Sequence, residues 1–92
     1  MNKAAHKGAL AAREAHSALM ELKDMVETAA KKVHAAEFEA ARVAVEGKET
    51  ASTLTPLQAV AESLRSPSFE AAVAHARDKV EVALARTKAA GN

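Results

Sequence analysis

The side chains in this 92-residue chain that could do chemistry are four histidines, His6, His16, His34 and His75, and twelve carboxylates. An imidazole and a carboxylate three residues apart share a helix face, the smallest unit of a metal site. His34 with Glu37 and His75 with Asp78 have that spacing. Two ligands do not close a shell, so a site would need both pairs at one level on facing helices. The chain has no cysteine, which removes disulfides and thiolate metal sites.

Other chemistries lack a starting point. No serine has a histidine and a carboxylate spaced around it as a triad, and no glycine-rich loop opens a helix to cradle a phosphate. The segment Ala5-His6-Lys7-Gly8 resembles the signature of small helical phosphotransfer modules over four residues. In that family the basic residue and the glycine follow the histidine at the third and fourth positions, whereas here they follow at once. Phe38 and Phe69 are the only aromatic residues, so there is nothing to stack nucleobases in sequence. The expectation is a non-enzyme with no catalytic, cofactor-binding or metal-binding residue.

What must position these side chains is a set of helices. Lys3 to Glu46 contains no proline, one internal glycine at Gly8, and mostly strong helix formers. Along it Ala5, Gly8, Ala12, Ala15, Leu19, Leu22, Val26, Ala29, Val33, Ala36, Ala40 and Val43 alternate at spacings of three and four. That is an a/d coiled-coil seam, and it predicts a helix lying along another helix. Gly47 is placed to end it in a left-handed C′ conformation.

A polar turn is expected over residues 47–55. Thr55-Pro56-Leu57-Gln58 reads as a capping box with proline at the first helical position, predicting a short helix over 56–65. Ser66-Pro67 interrupts it, with Ser66 the expected N-cap of a third helix over 67–89. The apolar face of that helix is expected to be Phe69, Ala72, Val73, Ala76, Val80, Ala83 and Leu84. The turn lies near the middle of the chain, so the expected fold is all-α. It is a single antiparallel helical hairpin over residues 1–92, its returning arm broken in two, assembling into a helical bundle.

Net charge is only +1, but the hairpin would distribute it unevenly. Residues 1–16 and 76–92 carry seven basic against three acidic side chains, and the remainder carries nine acidic against six basic ones. A basic open end would face away from an acidic turn end. Lys79, Arg86 and Lys88 are the candidate anion contacts, through which weak nucleic-acid association is the alternative function.

The leading expectation is a protein–protein interaction or assembly module, such as a helical adaptor, a chaperone, or a phage or mobile-element accessory protein. It would be a homodimer or bind a protein partner. With a and d spent on the hairpin, Leu10, Phe38 and Val45 fall at f with Ala41 beside them, and Met25 at g widens the stripe. These five residues are the candidate partner-binding set. No secretory leader or membrane span is legible, so the default location is the cytoplasm. A further alternative rests on Val45-Glu46-Gly47 at mid-chain: in length and layout the sequence resembles secreted helical hairpins of the WXG type, with valine in place of tryptophan. That resemblance implies a secreted hairpin.

Overall fold

The computed structural model describes residues 3–47 and 51–91, with side chains described over 3–47 and 55–91. The described residues form three helices, α1 (Lys3–Glu46), α2 (Ala51–Leu64) and α3 (Pro67–Gly91). There is no strand among them. Gly47, at φ 68°, ends α1 in the left-handed conformation that a Cβ would disfavour. The chain then returns antiparallel. Gly8, near the start of α1, lies against Thr87 near the end of α3, and Glu14 reaches Lys79. α2 lies against the second half of α1, where Val60 and Leu64 meet Val26, Ala29 and Val33. The result is a rod of 68 × 21 × 15 Å, two helices across and one helix thick.

The break in the returning arm is capped as its sequence requires. Phe69 N–H donates to Ser66 Oγ at 3.2 Å, and Glu70 N–H donates to the Ser66 carbonyl at 3.1 Å. The Ser66 hydroxyl in turn donates to the Ser63 carbonyl at 2.7 Å, tying the cap to the last turn of α2. One serine therefore serves both helix ends.

α2 begins at Ala51, five residues before the expected start, so Thr55 and Pro56 sit inside a helix rather than at its cap. Proline's fixed φ is helical, so Pro56, the sixth residue of α2, follows the helical path and forfeits one i→i−4 hydrogen bond. A capping motif read from sequence is overruled here because Ala51 and the residues after it contain no breaker. α3 runs two residues past its expected end, to Gly91.

The seam between the arms is rotated from the expected one. The line through Gly8, Ala15, Ala36 and Val43 is buried as expected. Its companion line is Ala11, Ala18 and the half-buried Met25, one position round from the expected Ala12, Leu19 and Val26, which are exposed. α3 shows the same rotation: Ala76 is buried, Phe69, Ala72 and Ala83 are half-buried, and Val73, Val80 and Leu84 are exposed. The cause is size. Two helices in close approach need small residues at the line of contact, and the g and d lines of α1 supply glycine and alanine where the a line would insert leucine and valine. The core is therefore mostly methyl groups, and no large side chain is fully buried among the described residues.

Candidate helix-docking face

The rotated seam gives the rod two unlike long faces. On one, Arg13, Glu14, Ser17 and Glu21 of α1 meet His75 and Lys79 of α3. Lys79 Nζ bonds Glu14 Oε2 at 3.2 Å across the arms, with both groups in contact with solvent. This face is mostly polar at its centre, with Leu10 and Val82 exposed toward its open end.

The opposite face holds the aliphatic residues displaced from the seam. Leu19 and Leu22 share a shallow depression with Val73 and Val80, edged by Arg77 and Glu81, and farther along α1 Val26 and Val33 share a second with Val60 and Leu64 of α2, edged by His34 and Glu37. Helix geometry makes this one surface: a position one residue round from the contact line turns by 100°, which brings it to the flank rather than the back. Leu19, Val26, Val33, Val73, Val80 and Leu84 are all exposed there, Leu84 the most at 53%. Sequence reasoning found these residues as apolar and placed them in the core. The signal that separates them from the true seam is side-chain volume, since alanine and glycine hold the inner line.

The five candidate partner residues do not form one patch. Met25 lies half-buried on the seam and leaves the set. Leu10 is exposed but is separated from Phe38 on the same line by Ser17, Asp24 and Lys31. Phe38 and Val45, 74% and 88% exposed, do meet over Ala41. They are flanked by Arg42, which bonds Glu39 and reaches Glu46 at 2.9 Å. The hydrogen bonds it donates to Glu39, and then the charges of Glu39 and Glu46, push the guanidinium pKa up.

The candidate anion contacts are also divided. Lys79 is engaged by Glu14, whereas Arg86 lines a shallow depression at the open end with Lys3 and Lys7. Lys88 is exposed outside it. Of the histidine pairs, His34 Nδ1 lies 3.7 Å from Glu37 Oε2 on an exposed surface, and His75 sits on the polar face. His6 and His16 are exposed. Among the described residues no three histidine or carboxylate side chains are grouped to hold a metal ion, and no helix is long and apolar enough to cross a membrane.

Comparison of the chain with protein-family models, curated proteins and solved structures gives no significant match.

Proposed function

We propose that this chain is a non-enzymatic helix-packing module, whose apolar face is covered by another helical surface in its working state. One observation carries the reading: Leu19, Val26, Val33, Val73, Val80 and Leu84, exposed aliphatic residues flanking the alanine seam, lie along one side of the rod on both arms. Isolated exposed hydrophobes are ordinary on a protein surface, but a row of them on two adjacent helices is the pattern of an interface. Such a face accepts helices, since its depressions follow one another along the rod and are flanked by valine and leucine. The test is affinity purification from the native host with the wild-type chain and with the Val26→Glu/Val80→Glu variant as baits. A protein retained by the first and lost by the second supports the reading. A stably folded monomer with no face-dependent partner, itself or another, overturns it.

A second reading draws on Lys3, Lys7 and Arg86 at the open end, which offer a weak, non-specific contact for nucleic acid. Binding to duplex DNA that vanishes between low and physiological salt and falls with Arg86→Gln would favour it.

A further inference from the structure

The apolar face has an internal symmetry that bears on what covers it. On α1 its line is Leu19, Val26 and Val33, with Val26 at the centre and one heptad on either side. On the returning arm Val73 and Leu64 lie on either side of the Ser66-Pro67 break, with Val80 and Leu57 each one heptad farther out. The two arms agree on the centre: Val73 sits at the level of Leu19 and Leu22, and Leu64 at that of Val26 to Val33. A half-turn about an axis crossing the rod at Val26 maps this face onto itself. Leu19 falls on Val33, Val26 on Val26, Val73 near Leu64, and Val80 near Leu57.

We propose that the occupant is a second copy of this chain, packed antiparallel on this face about a two-fold axis at Val26 to give a four-helix bundle. The proposal rests on the helix-packing reading above and names its partner. Charge selects the direction. The open end, with seven basic against three acidic residues, is laid over the partner's turn end, where acidic residues are in excess. The parallel alternative stacks the two basic ends together, a like-charge juxtaposition that disfavours it. Size is adequate as well. From Leu84 to Leu57 the face runs about 40 Å along the helix axes. Over a rod 21 Å wide this offers about 800 Å² per protomer, the area of a standard stable interface. An isologous pairing of this kind closes, so the assembly stops at two copies.

The experiment uses the purified 92-residue chain and exploits its lack of cysteine, which makes every introduced thiol unique. Sedimentation at concentrations up to about 100 µM, a range that detects even weak pairing, is expected to give twice the 9.6 kDa monomer mass. On mild oxidation Val26→Cys is expected to form a disulfide-linked dimer. Leu19→Cys and Val33→Cys should each stay largely unlinked alone and link when mixed. Val26→Glu is expected to shift the species to monomer, and Phe38→Glu to leave the dimer intact. The crosslinks read the geometry even if the glutamate variant loses its helices. A wild-type monomer at the highest concentration overturns the proposal, as does a dimer in which Phe38→Glu dissociates the copies or Leu19→Cys and Val33→Cys fail to link. A wild-type monomer that nevertheless retains a host partner lost on Val26→Glu/Val80→Glu overturns self-pairing alone and leaves the helix-packing reading standing.

Discussion

Gly8 and Thr87 bring the two arms together near the open end: a Cβ built on Gly8 would stand 3.4 Å from Thr87 Oγ1 and 3.6 Å from its Cα. One methyl group fits that gap at ordinary contact distance, and nothing larger does. Glycine in a helix interior costs about 0.5–1 kcal/mol relative to alanine. Gly8→Ala is therefore expected to stabilise the hairpin by about that amount, and Gly8→Leu to destabilise it, both read from urea unfolding followed by circular dichroism. Equal destabilisation by both would mean that the arms are closer at this level than described.

Overfilling the seam should hurt more than emptying its flank. Ala18 is buried on the contact line, so Ala18→Leu forces the axes apart and is expected to cost about 1–3 kcal/mol. Leu22 is only half-buried, so Leu22→Ala should cost less than the ~2–4 kcal/mol of a fully enclosed leucine. Thermal unfolding of the two variants, at matched concentration, orders them.

Ser66 offers a local test. Ser66→Ala removes the acceptor for Phe69 N–H and the link to Ser63, with an expected cost of about 1 kcal/mol. Hydrogen exchange should speed up at Phe69 and at the start of α3 while the centre of α1 keeps its protection. Uniform acceleration along the chain would show that the cap supports the whole rod rather than one helix end.

The pair Glu14–Lys79 is solvent-exposed at both ends, so its coupling in a double-mutant cycle with Glu14→Gln and Lys79→Gln is expected to stay below about 1 kcal/mol. Added salt should reduce it further. A larger, salt-insensitive coupling would require the polar face to be covered.

Much of the fold was legible because it depends on local signals. The absence of breakers from Lys3 to Glu46, the stop at Gly47 and the serine before Pro67 each act within a turn of themselves. The arm-to-arm register does not. Hydrophobicity ranks Leu19, Val26, Val80 and Leu84 above alanine and so assigns them to the interior, whereas the close spacing of two helices ranks residues by volume and puts them outside. The capping box at Thr55 misled for a related reason: its residues can start a helix but do not have to when the preceding residues also form one. Phe38 and Val45 point outward in either register, because they lie far from both versions of the seam. The larger apolar face follows from the rotation itself, which depends on the contact line between the arms and has no local signal.

The methyl-lined seam has one mechanical consequence. Interlocking of bulky side chains is what ordinarily keeps two helices from sliding past each other. Gly8, Ala11, Ala15 and Ala18 on α1 and Ala72, Ala76 and Ala83 on α3 are nearly smooth, but the same lines carry the half-buried Leu22 and Met25 on α1 and Lys79 on α3. A slip by one heptad would set these larger residues where alanine now sits, so they are the stops that keep the arms in register. Replacing all three with alanine would turn the hairpin into a sliding joint, with helix content preserved and the position of one arm along the other released.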